Sequence, residues 1–324
     1  MSNVHTINGT LESAALGRTL SHEHLTNGMG GMERVPGLYD EAEAVDANVE
    51  ALKRARAAGI DSVIDLTPLD LGRQVSLFQK VAARHDEHGV NVVCATGVYR
   101  WVPSYFFRVD PDEIARYFIS EIDDGIEGTD VHAGIIKLAW DVEYHLDEGF
   151  MTPRSQLENT ARAAARAAKA SGVPISCHTR AVDELGTPLL DIFEDEGLDL
   201  RAVTIGHSND TNDLDYLKGL AARGATVGLD RFFVQAPEEE LARRGGVALA
   251  MAQAGYAEQT SLGHDATPYG CWGGRTPVNP DCWLGVPAVE VNWLRDTGAS
   301  DADIDALQTG SVRATFEAAA AMKR

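Results

Sequence analysis

Short apolar runs alternate with longer amphipathic or alanine-rich stretches along the chain. The runs at 17–22, 62–66, 90–97, 134–139, 173–178, 202–206, 225–229 and 260–263 have the length and apolar content of buried strands. The stretches 41–58, 73–88, 111–125, 153–170, 183–196, 214–223 and 237–254 read as helices. Their boundaries carry start and stop signals: Pro153 follows Thr152, Ser171-Gly172 closes that helix, and Gly59 ends the first. Eight strands alternating with helices predict parallel pairing through helical crossovers, an α/β fold. No GxGxxG or phosphate loop follows the first strand, which favours a (β/α)8 TIM barrel over a doubly wound open sheet. No Pro/Ser-rich linker or low-complexity tract interrupts the rhythm, so residues 1–324 are expected to form a single domain.

Composition narrows the partners. The net charge of -21 argues against nucleic acid or an anionic membrane, both of which reward clustered Lys and Arg. No apolar stretch approaches the roughly 20 residues that span a bilayer. The start, Met1-Ser2-Asn3-Val4-His5-Thr6, has neither a basic region nor an apolar core, so a cytoplasmic location is expected. Cys94 and Cys177 fall in strand-like runs and read as buried thiols. Cys271 and Cys282 share a loop where a disulfide is possible but disfavoured in a reducing compartment.

The chemistry-bearing positions cluster at strand ends. Lys137, one of only six lysines, sits inside the run Ala133-Gly134-Ile135-Ile136-Lys137-Leu138-Ala139-Trp140, where an ammonium group costs several kcal/mol unless neutralised or paired. His22 and His24 end the first run at i, i+2 spacing, which puts both on one side of a strand. An HxH pair is common on surface turns, and its weight comes from ending a barrel strand. His178 and His207 each end a later run, and Asp265, a simple capping residue on the bland reading, ends the eighth. His264 beside it reads as a supporting residue, whereas His5, His85, His88, His132 and His145 read as solvated. Imidazole nitrogen and carboxylate oxygen together suit zinc, cobalt, manganese or iron without choosing among them. Plain lysine would repel a dication, so a two-metal centre requires Lys137 as a carbamate formed with carbon dioxide (N6-carboxylysine).

The motifs Leu20-Ser21-His22-Glu23-His24-Leu25, Gly134-Ile135-Ile136-Lys137, His178-Thr179, Ile205-Gly206-His207, Gly228-Leu229-Asp230-Arg231 and His264-Asp265 resemble the phosphotriesterase family of the amidohydrolase superfamily. More narrowly, they are similar to the phosphotriesterase-like lactonases. The resemblance implies a (β/α)8 barrel with two divalent metal ions, zinc foremost. By it, His22, His24 and Asp265 hold one ion, His178 and His207 hold the other, and carbamylated Lys137 bridges them. It implies that Asp265 handles the proton of a metal-bridging hydroxide that attacks the substrate. It also gives Tyr99, after Gly97-Val98, contact with a lactone or the bridging water, and makes Arg231, after Asp230, that branch's active-site arginine. Without it they are a rim aromatic and a surface charge. A homodimer is implied too, with Trp101-Val102-Pro103-Ser104-Tyr105-Phe106-Phe107 as a candidate apolar patch.

The chain departs from the family in its loops. Leu138-Ala139-Trp140-Asp141-Val142-Glu143-Tyr144-His145 is bulkier than the usual fourth loop, Ala266-Thr267-Pro268-Tyr269-Gly270-Cys271-Trp272-Gly273-Gly274-Arg275 replaces the usual eighth, and Gly310-Ser311-Val312-Arg313 replaces an Asn-Pro motif. Loops after barrel strands set specificity. The leading expectation is a hydrolase of acyl-homoserine or similar hydrophobic lactones, with phosphotriesterase and arylesterase side activity. A dedicated esterase, amidase, carbamate or organophosphate hydrolase is the alternative. A non-catalytic binding protein ranks below both, because no ligand position is lost. Tyr269, Trp272 and Trp283 are expected to wall a substrate pocket, with Arg275 solvated at its rim.

Overall fold

In the computed structural model, which describes residues 2–100, 102–141 and 153–323, a hairpin of β1 (Asn3–Thr6) and β2 (Gly9–Glu12) precedes the barrel. Ile7 N–H donates to Val92 O (2.9 Å) and ties the hairpin to the barrel wall. Its strands are too short to carry a distinct apolar run, and the sequence pattern does not announce them.

Eight barrel positions follow in chain order. They are β3 (Thr19–Glu23), β4 (Ser62–Asp65), an interrupted third strand made of β5 (Asn91–Val93) and β6 (Ala95–Gly97), β7 (Ile135–Trp140), β8 (Ile175–Thr179), β9 (Val203–Gly206), β10 (Thr226–Leu229) and β11 (Thr260–Leu262). Pairing is parallel throughout, β3-β4-β5 and then β6 to β11. The ring closes between β11 and β3: Ser21 Oγ donates to Leu262 O (2.9 Å), and the Asp265 N–H donates to His22 O (3.0 Å). The fold is the expected TIM barrel.

The helical patterns become Glu41–Ala57, Val75–Ala82, His85–His88, Pro111–Asp123, Pro153–Ser171, Gly186–Asp195, Leu214–Ala222 and Glu238–Gln253. Asp40, Asp110 and Asp213 cap three of them through side-chain oxygens, and Pro111 occupies a first-turn position where no N–H is needed. The Thr152 start signal lies outside the described residues. The expected 73–88 helix is two pieces, and His88, expected to be solvated, is buried with Nδ1 accepting the Val90 N–H (3.1 Å). After β11 come Val291–Thr297, Asp301–Asp305 and Ser311–Met322.

Side-chain parity explains how the site is aimed. Along β7, Ile136, Leu138 and Trp140 join the outer core beneath the helices, and Ile135 joins an inner core with Ile64, Val93, Val312 and Phe316. Lys137 shares the inward parity of Ile135, so its amine rises inside the barrel. On β3 strict alternation fails. A register shift between Leu20 and Glu23 lets Ser21 line the lower interior while His22 and His24 both face the mouth.

Candidate metal centre

The C-terminal mouth brings together all six of the metal-ligand positions read from the sequence. His22 and His24 rings lie 5.4 Å apart, His22 and His207 are stacked at 5.0 Å, and His178 and His207 meet edge-on at 4.3 Å. Asp265 Oδ1 is 3.1 Å from His24 Nε2 and 3.5 Å from His22 Nε2, and Lys137 Nζ is 3.0 Å from His22 Nε2. The ligand atoms of His22, His24 and Asp265 lie within 4.8 Å of one another, a grouping able to hold one ion.

The second such grouping differs from expectation: it is His22, His207 and Asp230 rather than His178 and His207. Asp230, inside the motif Gly228-Leu229-Asp230-Arg231, gains its candidate role only from the folded structure. Its Oδ2 lies 2.6 Å from His22 Nδ1, while its Oδ1 lies 2.8 Å from His207 Nδ1 and accepts the His207 N–H (2.7 Å). A carboxylate that receives the Nδ1–H of two rings fixes their tautomers and leaves each Nε2 lone pair free for a cation. Asp230 is therefore better read as the support of two ligands than as a third ligand. Gly206 makes this possible, since a Cβ there would lie 2.6 Å from Asp230 Oδ2.

His178 has different partners. Its Nε2 is 3.0 Å from Asp141 Oδ2 and its Nδ1 is 3.4 Å from Tyr99 Oη, with Arg100 3.4 Å from the same Asp141 oxygen. His24 Nδ1 rests 2.9 Å from Thr67 Oγ1, which in turn donates to Asp65 Oδ2 (3.1 Å). Arg231 lies 3.4 Å from Asp265 Oδ2 and pairs with Asp210, whose other oxygen is 3.0 Å from Arg244. Tyr99 and Arg231 thus reach the cluster at two different edges. Both His207 (φ 60) and Asp265 (φ 53) adopt left-handed backbone, about 1 kcal/mol or more of strain each, as expected where a turn must aim a side chain.

The electrostatics suit a bound dication. Burial drives the imidazoles of His22 and His178 down to about 3, so at neutral pH both offer lone pairs. Burial lowers the Lys137 amine to about 8, so a substantial neutral fraction exists near physiological pH. Burial opposes ionisation of Asp265, but the neighbouring His207, His24 and His22 hold its carboxyl well below the usual range. His207 Nε2 is buried without a hydrogen-bond partner among the described residues and sits 3.8 Å from Asp265 Oδ2. A lone pair left bare beside a carboxylate is costly in a protein interior and is resolved by a cation.

The loops revise one expectation. Tyr269 and Trp283 are fully buried: the Tyr269 hydroxyl accepts the Asp40 N–H (2.8 Å), and Trp283 Nε1 donates to Ala266 O (3.1 Å). Only Trp272 of the three aromatics is exposed. Arg275 is exposed, as expected. It pairs with Glu43 and lies 5.7 Å over the Tyr269 ring. A groove of about 560 Å³ that includes Ala266 is lined by Phe233, Val234, Pro277 and Val278 together with the polar Gln235, Asn279 and Asp281. All four cysteines are free and buried. Trp101 and 142–152, and with them part of the expected apolar patch, most of the fourth loop and His145, lie outside the described residues. Among the described residues no helix is long and apolar enough to cross a membrane.

A (β/α)8 barrel with this donor set at its C-terminal mouth defines a metal-dependent hydrolase. The chain belongs to the phosphotriesterase family, which matches residues 2–277 and is a family of binuclear metal hydrolases. It is 32% identical over 344 residues to the phosphotriesterase homology protein of Mycobacterium tuberculosis strain H37Rv, covering 98% of each. It is 35% identical over 276 residues to an aryldialkylphosphatase of Saccharolobus solfataricus, covering 83% of this chain and 82% of that protein. The solved structure of the phosphotriesterase from Mycobacterium tuberculosis superposes with a TM-score of 0.83 at 31% identity, over 97% of this chain and 98% of that one.

Proposed function

We propose that this hydrolase opens lactones, N-acyl-homoserine lactones or others with a hydrophobic tail, and cleaves phosphotriesters and aryl esters more slowly. In this reading one catalytic domain in the cytoplasm holds one ion on His22, His24 and Asp265 and the second on His178 and His207, with Lys137 bridging as a carbamate. When bound, such a pair supplies an activated water and polarises the scissile C=O or P=O bond.

The protein's own groups do the rest. Asp265, ionised and 3.4 Å from Arg231, accepts the proton given up by the attacking water and delivers it to the leaving oxygen. Burial raises the Tyr99 hydroxyl well above its ordinary range, so it stays protonated and acts as a donor rather than a base. Arg231, held by Asp210, presents fixed positive charge where the tetrahedral oxyanion develops. The groove along Phe233, Val234, Pro277 and Val278 receives the apolar tail.

The observation that carries the lactone reading is the pairing of a neutral O–H donor at His178 with a cation at Asp265 around one cluster. A specific observation favours a second reading, a dedicated organophosphate or aryl-ester hydrolase: the Saccharolobus solfataricus relative is named an aryldialkylphosphatase. Comparing kcat/KM of metal-loaded protein on acyl-homoserine lactones of increasing tail length, diethyl p-nitrophenyl phosphate and p-nitrophenyl acetate separates the two. Rising values with tail length, above both nitrophenyl probes, are expected. Either probe outrunning every lactone overturns the lactonase assignment in favour of the second reading.

A further inference from the structure

Glu23, the last residue of β3, lies between His22 and His24, is fully buried, and takes no part in the chemistry above. The register shift that turns His22 and His24 to the mouth sends the Glu23 side chain the other way, towards the end of β11. There its carboxyl group spans the turn that bears Asp265. Oε1 accepts the His264 N–H (2.9 Å) and lies 2.6 Å from His264 Nδ1, while Oε2 accepts the Ala266 N–H (3.4 Å). The direction of the His264 bond follows from its other nitrogen. Nε2 accepts the Val286 N–H (2.8 Å), so the ring hydrogen is on Nδ1 and is donated to Glu23.

Asp265 is the residue between those two anchored neighbours. Its left-handed backbone is strained and persists only where the surroundings over-determine it. Two contacts come from the histidine strand itself: His22 O accepts the Asp265 N–H (3.0 Å), and His24 N–H donates to Ala266 O (3.0 Å). Glu23 adds side-chain bonds on both sides of the turn. One short segment, His22-Glu23-His24, therefore carries two candidate ligands on one face and grips the turn of a third with the other.

We propose that Glu23 is a positioning residue that acts through His264 and Ala266 to hold the Asp265 carboxylate at ligand distance from His22 and His24. The proposal rests on the metal-hydrolase reading of the cluster. It assigns Glu23 to the affinity of one ion rather than to substrate binding.

The test is zinc titration calorimetry on metal-free wild type, Glu23→Gln and His264→Phe, each held well below its thermal midpoint. Gln keeps one acceptor oxygen but sets an NH2 group against an N–H, and Phe removes the ring donor at similar volume. In both variants one of the two zinc sites is expected to lose about 10- to 100-fold in affinity. On diethyl p-nitrophenyl phosphate, kcat should fall while KM stays within about twofold. A merely structural Glu23 would lower the midpoint of the metal-free protein and leave zinc affinity unmoved. Wild-type zinc affinity in whichever of the variants folds, or a change confined to KM, overturns the proposal. Wild-type inactivity on every substrate probe would sink the lactonase reading alone, because the zinc affinities still decide the role of Glu23.

Discussion

Asp230 Oδ2 stands 2.6 Å from His22 Nδ1, a contact between residues on β3 and just after β10 that sit side by side only once the barrel closes. With its other oxygen on His207, one carboxylate sets the ring orientation of two candidate ligands. An amide at this position could accept from only one ring with its oxygen. Asp230→Asn is expected to lower metal affinity about 10- to 100-fold and turnover with it. Metal titration of the folded variant checks this, and wild-type affinity would show that the two rings hold their geometry unaided.

Lys137 is expected to be carbamylated. The reaction needs the neutral amine, and burial places the amine near 8, so the reactive fraction grows as pH rises through that value. Reconstitution of metal-free protein with zinc in bicarbonate buffers held at one dissolved carbon dioxide concentration should therefore run faster at pH 9 than at pH 7. Lys137→Ala should abolish most activity and be partly rescued by a short carboxylic acid. Reconstitution that ignores bicarbonate, with no rescue, would contradict the carbamate.

The barrel and its chemistry were largely legible because both rest on local pattern. The run Ile135–Trp140 shows apolar parity on one side and a lysine on the other, so strand, burial and inward direction are all readable from six residues. Residues whose meaning depends on distant partners were not readable. Asp230 matters through His22, 208 positions away, and Glu23 through His264, 241 away. Tyr269 and Trp283 looked like pocket walls because loop aromatics with polar tips fit either setting. What decides is where the Asp40 N–H and Ala266 O lie, and the tertiary fold sets that.

Tyr99 and Arg231 should affect turnover without affecting metal content. Arg231→Ala removes fixed charge at the developing oxyanion and is expected to cost about 10²-fold in lactone kcat. Tyr99→Phe removes one neutral hydrogen bond and should cost up to about tenfold. Steady-state kinetics with elemental analysis on the same samples checks both, and normal lactone turnover in both variants would contradict the assigned roles.

A homodimer is expected. Tyr105 and Met29 are large exposed side chains beside a cleft of about 670 Å³ whose lining joins Pro103 and Leu69 to Glu33, Arg34, Asp70 and Glu127. Light scattering at micromolar concentration should return about twice 34.9 kDa, and a mass near 34.9 kDa would count against the dimer.

His22, His24, Lys137, His178, His207 and Asp265 are expected to hold two ions between them. Elemental analysis of metal-saturated protein after gel filtration tests this most directly. About two ions per chain are predicted. One ion or none would contradict the account.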